Sequence, residues 1–163
     1  MKTLFLLIGL TTFAFVNSQD RPSDKFFNTL RERDDVSTFS FSKNMIDMID
    51  MNITADADAD GDKKITGDLN EIKVSVFDKT KNSKSENEAI SFFKKTPFSE
   101  IDMDDKDNEA KVFVNRKGKT IHECHIGIAG EKKFVLISFF GDFKIEDVDA
   151  LKKSAKGLAD ENR

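Results

Sequence analysis

Residues 119–151 constrain this chain more than any other stretch. They read KTIHECHIGIAGEKKFVLISFFGDFKIEDVDAL. Two apolar runs, 121–129 and 134–140, meet at Gly130-Glu131, which is the pattern of a β-hairpin. The second run, FVLISFF, has almost no polar alternation, so both of its faces must be covered, as in a central strand. Gly141-Asp142 is expected to break that strand. Ile145, Val148, Leu151 and Ala155 then follow at helical spacing.

The rest of the chain supplies short elements around this hairpin. Pro22-Ser23-Asp24 opens a helix with Phe26, Phe27 and Leu30 on one side, and Asp34-Asp35 ends it. Residues 36–41 are rich in Val, Thr and Phe and read as a strand. Ser42 is placed to cap a second helix whose apolar face is Met45, Ile46, Met48 and Ile49. Residues 52–64 are an acidic loop. Ile72, Val74 and Val76 mark a strand over 69–77. Ser85-x-x-Glu88 is a capping box for a third helix that Pro97 stops. A short edge strand near 98–103, a strand over 110–114, the hairpin and a last helix ending at Gly157 complete the order. That order is α-β-α-β-α-β-β-β-β-α. It predicts an α+β two-layer sandwich, a mostly antiparallel sheet with helices on one face.

The first 18 residues stand apart. Lys2 is a short positive region, residues 4–16 are apolar, and Val16 and Ser18 are the small residues that favour cleavage. The expectation is a signal peptide removed after Ser18, leaving residues 19–163 as a single exported domain, periplasmic or extracellular. The apolar run is too short to span a bilayer comfortably, so the mature chain is expected to carry no transmembrane segment. The chain is acidic, with a formal charge of −4, and shows no basic patch for nucleic acid. One Cys allows no internal disulfide, so the fold must stand on its apolar core. That core is rich in one aromatic: 16 Phe with no Trp or Tyr, rings with no polar handle.

Two motifs resemble a known family. Val36-x-x-Phe39-x-Phe41-Ser42-Lys43-x-Met45 resembles its N-terminal motif. Phe134-Val-Leu-Ile-Ser-Phe-Phe-Gly141, with Ile145 and Leu151 after it, resembles its C-terminal one. Both read as core patterns. The family is the domain of unknown function family 4252, small exported proteins mainly of Bacteroidetes, and the resemblance covers about 26–151. It implies a bacterial envelope or exported location, no known catalytic site, and no functional residues to transfer.

Three constellations invite chemistry. Asp56-x-Asp58-x-Asp60-Gly61-Asp62 matches the first half of a calcium loop, since carboxylates two residues apart can converge on a hard cation. The second half departs from the pattern: counted from Asp56, Lys63 stands where an apolar residue belongs and Gly67 where a bidentate Glu belongs. A weak Ca²⁺ site on Asp56, Asp58, Asp60 and Asp62 is therefore set against a merely solvated acidic loop. His122-Glu123-Cys124-His125 suggests a metal or a nucleophile. Strand alternation puts His122 and Cys124 on one face and Glu123 and His125 on the other. One His and one Cys are half a zinc site, so the plainer expectation is a buried thiol beside two half-exposed imidazoles. Met45, Met48 and Met51 could bind soft copper, but at helical spacing Met45 and Met48 read as core.

No triad, phosphate loop or complete metal set emerges. The expectation is a non-enzymatic exported domain, without a cofactor, that binds an unidentified protein or envelope partner or regulates the envelope. The alternative is a calcium-dependent binding or adhesion protein using the Asp56–Asp62 loop. A thiol or carboxylate hydrolase is third.

Overall fold

A computed structural model of the chain describes residues 20–49, 68–95, 97–102 and 110–160. The acidic loop, Met51 and the first 18 residues lie outside them. The elements are α1 (Asp24–Leu30), β1 (Val36–Ser42), α2 (Lys43–Ile49), β2 (Asp68–Asp78), α3 (Ser85–Phe93), β3 (Ser99–Ile101), β4 (Ala110–Lys117), β5 (Thr120–Ala129), β6 (Lys133–Lys144) and α4 (Val148–Asp160). A 3₁₀ turn, Ile145–Asp147, joins β6 to α4. This is the order expected from sequence, and the fold is α+β.

The strands form one antiparallel sheet in the order β1-β2-β6-β5-β4-β3. β6 lies inside it, between β2 and β5, as its unbroken apolar run requires. Alternation along β6 sends Val135, Ile137 and Phe139 to one face and Phe134, Leu136 and Phe140 to the other. The first face is mostly aliphatic. It packs Ile72, Val74, Val112, Val114 and Ile126 under α4 and under Ile46 of α2. The second is mostly aromatic. It packs Phe77, Phe113 and Phe134 under Phe26, Phe27 and Leu30 of α1 and Ala89 and Phe93 of α3. Each such Phe removes enough apolar surface from water to contribute about 1.5–3 kcal/mol.

The helices are thus divided between the two faces and do not lie on one, which corrects the expected placement. The reason is the sheet itself. Its middle strands are apolar at both parities, so each face needs its own cover.

Four local expectations change as well. β6 does not end at Gly141 but continues to Lys144, burying Phe143. Its register against β2 shifts between Leu69 and Glu71, opposite Gly141 and Phe140. At this irregularity the Asp68 backbone crowds Gly141 so closely that only glycine fits. The Ser85 capping box does not form. Ser85 is the first helical residue, is buried, and donates its hydroxyl to the Asn82 carbonyl (2.7 Å). Gly157 sits inside α4 and does not end it. Of the α2 apolar set, Ile46 is buried, whereas Met45 and Met48 are 44% and 84% exposed.

Candidate functional site

The stretch His122–His125 carries the polar groups nearest the centre of the sheet. Strict alternation fails in it. Against β4, His122 is an extra residue, since Ile121 and Glu123 pair with the neighbours Arg116 and Asn115; against β6 the register also shifts, with Gly141 and Asp142 both opposite His122. The bulge turns His122 out to solvent, where Nδ1 lies 2.8 Å from Asp142 Oδ1. Cys124 falls beside Ile121 and Ile126 in the aliphatic core. The expected pairing of His122 with Cys124 is therefore undone, and Glu123 and His125 point together into the aromatic face.

There they form a buried polar chain. His125 and Ser138 are fully buried, and Glu123 is 1% exposed. Ser138 Oγ lies 2.9 Å from His125 Nδ1. His125 Nε2 lies 3.3 Å from Glu123 Oε2, a looser contact than a well-formed hydrogen bond. Asn115 Nδ2 donates to Glu123 Oε1 (3.2 Å). The arrangement fits one tautomer, with Nε2–H facing the carboxylate and Nδ1 accepting from the Ser138 hydroxyl. Phe93 stacks on the imidazole at 4.3 Å and Phe98 meets it edge-on at 5.3 Å. The expected half-exposed imidazole is thus correct for His122 and wrong for His125. The Glu-His pair by itself does not mark the difference, because at i, i+2 spacing it reads equally well as a solvated face.

The electrostatics follow from burial. Burial pushes the His125 pKa down; the attraction of Glu123 opposes this, and Arg21 and Lys73 reinforce it. Burial pushes the Glu123 carboxyl up, but its contacts with His125, Ser23 and Asn115 outweigh that and hold it below its ordinary range. Near neutral pH the pair is an ionised Glu123 beside a neutral His125. Arg21 and Lys73 roof the same face. Arg21 reaches Glu71 (2.6 Å) and Asp24 (3.0 Å) and lies 3.9 Å over the Phe140 ring. Ser, His and Glu in contact resemble a nucleophilic triad. Yet Ser138 and His125 have no exposed surface, and Phe rings cover the imidazole, so no acyl group can approach. What the chain can do chemically is fix β5 to β6 and hold an ionisable pair in the interior.

Cys124 is a core thiol. Burial pushes its pKa up to about 12, so the nucleophilic thiolate is scarce. A thiol reagent is expected to label the native protein far more slowly than the urea-unfolded protein. Cys124→Ser should lose about 1–3 kcal/mol of unfolding free energy in urea titrations, because a hydroxyl would be buried among aliphatic side chains.

The second candidate lies at the sheet edge. Among the described residues β1 pairs with β2 on one side only. Thr38, Phe39 and Ser40 are exposed in succession, and Phe39 is 55% exposed. Val36, Thr38 and Ser40 face a cleft of about 320 Å³ that α1 closes with Phe27, Leu30 and Arg31. Phe41 packs on the aliphatic cluster, so Phe39, two residues away, lies on the face that carries α2 and its exposed methionines. Among the described residues no group of three or more His, Cys, Asp or Glu is placed to hold a metal. Asp56, Asp58, Asp60 and Asp62 lie outside those residues.

The profile of the domain of unknown function family DUF4252 matches residues 27–151. The chain belongs to this family. No curated protein and no solved structure matches it. The matched span runs from α1 to the first residues of α4, so both β1 and the Glu123–His125–Ser138 chain belong to the family domain, while Arg21 and Ser23 precede it. Of the two motifs that carried the resemblance, the C-terminal one is core apart from exposed Ile145. The N-terminal one is β1 and the start of α2, with Phe39 and Met45 on the surface.

Proposed function

We propose that this DUF4252 protein is an exported, non-enzymatic binding domain, a partner-binding or regulatory module of the bacterial envelope that takes its partner at β1. The observation that carries this reading is that, among the described residues, β1 has a strand on one side only. A row of unpaired backbone N–H and C=O groups is a ready template for another strand, and Phe39 offers apolar area beside it. Export is supported by the pattern of Lys2, the apolar run and Ser18 in the first 18 residues. Among the described residues no helix is long and apolar enough to cross a membrane.

The test uses a photo-reactive phenylalanine analogue at position 39 and, as a control, at exposed Ser91 on α3. Irradiation in the native envelope should trap a protein at position 39 and none at position 91. Mass analysis of the mature chain should show a start at Gln19. Equal trapping at both positions, or full-length chain retained in the cytoplasm, would remove the reading.

The spacing of Asp56, Asp58, Asp60 and Asp62 favours a second reading, a calcium-dependent binding protein. Replacing Asp58 and Asp60 with Asn relieves like-charge repulsion, so the melting temperature should hold level or rise slightly. Millimolar Ca²⁺ should leave both proteins unchanged. A true site with Kd of about 10⁻⁴ M would instead stabilise the natural chain by about 2.7 kcal/mol at about 10⁻² M Ca²⁺, and calorimetry would see it.

A further inference from the structure

We propose that the partner taken by β1 is a second copy of this chain, with β1 lying antiparallel to β1 of the other copy about Phe39, so that the two sheets become one. The inference rests on the reading of β1 as the binding edge and names its occupant.

Among the described residues the edge lacks the usual protection. Sheet edges are normally blunted by charge, proline, bulges or brevity. The opposite edge follows that rule, since β3 has three residues. β1 does not. Its seven residues, VSTFSFS, contain no charge and no proline, and their register with β2 runs without a shift from Val36 to Ser42. In a chain that is 34% charged, a neutral, regular, exposed edge strand needs a cover.

The strand is also its own complement. Antiparallel pairing centred on Phe39 sets Phe39 against Phe39 of the partner copy, Ser37 against Phe41, Thr38 against Ser40, and Val36 against Ser42. Directly opposed Cβ atoms stand roughly 4.5–5.5 Å apart, close enough for two rings to bury each other. Charge fixes the direction. Asp34 and Asp35 precede the strand and Lys43 follows it, so the antiparallel register brings Lys43 of one copy to Asp35 of the other. Parallel pairing would set Asp beside Asp. Because Asp35 already pairs with Arg33 and Lys43 with Asp68, these charges select the orientation and add little affinity. An acidic foreign strand is the less favoured occupant. The cleft beside β1 offers Lys73, but that ammonium already lies 3.5 Å from Glu71 and 3.9 Å from Asp24.

The test is the mass of the mature chain by light scattering across the micromolar range, with two variants. The natural chain should reach twice the monomer mass. Phe39→Lys, which sets two ammonium groups face to face, should remain at monomer mass and still melt cooperatively, at a temperature that no longer rises with protein concentration as the natural chain's does. Phe39→Cys should form an intermolecular disulfide rapidly under mild oxidation, whereas Ser91→Cys should not; the native Cys124 is buried and stays silent. A natural chain that stays monomeric while position 39 traps a different envelope protein overturns this inference and leaves the binding edge standing. A dimer that persists in Phe39→Lys overturns it too. Trapping of neither a second copy nor a foreign protein at position 39 removes both readings.

Discussion

Truncating His125 should cost about 3–5 kcal/mol, because it leaves the buried Glu123 carboxylate with the Asn115 hydrogen bond alone. Truncating Glu123 should cost about 1–3 kcal/mol, because the buried Nε2–H of a neutral His125 then faces no acceptor. His125→Ala leaves a carboxylate at 1% exposure facing a void under Phe93. Glu123→Ala leaves the imidazole without its acceptor. The double variant Glu123→Leu/His125→Phe should recover most of the loss, since it removes both polar groups and keeps the volume. Urea unfolding at neutral pH measures all four proteins. Additive losses in the double variant would show that the pair is not coupled.

The same pair sets an acid limit. The folded His125 pKa lies below its ordinary value of 6.5, so the unfolded chain binds the proton first. Stability is full above about pH 6.5 and falls as pH drops below it. Glu123 adds a second loss below 4.5, its ordinary value, because the folded carboxyl resists protonation. Asp35, held down mainly by its hydrogen bond from Arg33, adds a third, below its ordinary 3.8. In the double variant the first decline should vanish and the Asp35 loss should remain. A natural chain whose unfolding free energy is flat between pH 7 and pH 5 would contradict this assignment.

Gly141→Ala should be the other costly change, at about 3 kcal/mol. A Cβ at that position collides with the Asp68 carbonyl oxygen and comes within 3.1 Å of Leu69 Cα, and neither is a flexible side-chain end. β2 and β6 would have to part at their irregular register, and the melting temperature should fall by roughly 6–12 °C. Gly157→Ala is the contrast. It sits inside α4 with nothing within 4 Å of a new Cβ, so it should stabilise by about 0.5–1 kcal/mol. Equal melting temperatures for the two variants would refute the close-approach account.

These residues also mark what was legible in the sequence. Hydrophobic patterning located the strands and helices of the described chain, because most of them bury a periodic apolar set; β1, which buries none of its residues, was marked by its Val, Thr and Phe content. It read Gly141 as a terminator, since a glycine that ends a strand and one that admits a neighbouring backbone look alike. It read residues 134–140 as covered on both faces, a statement that already required helices above and below the sheet. It placed His122 with Cys124 because counting by twos cannot anticipate an inserted residue. The exposure of Phe39 and Met48 was equally hidden: an apolar side chain on an uncovered edge has the same pattern as one in the core. The buried polar chain had a faint signal. Ser138 is the one polar residue inside FVLISFF, and a lone hydroxyl in a buried run calls for a partner on the next strand.

The division of the sheet into an aliphatic and an aromatic face gives the fold an error check on strand alignment. Along β6, odd positions meet Ile and Val, while even ones meet Phe rings and the His125 imidazole. A sheet with two greasy faces is ordinarily indifferent to a one-residue slip, since either parity finds apolar company. In this protein a slip would carry the Ser138 hydroxyl among isoleucines, drive Phe rings into space shaped for smaller branched side chains, and leave His125 and Glu123 against Ile137. The polar chain rejects the mispaired sheet that the hydrophobic pattern alone would tolerate.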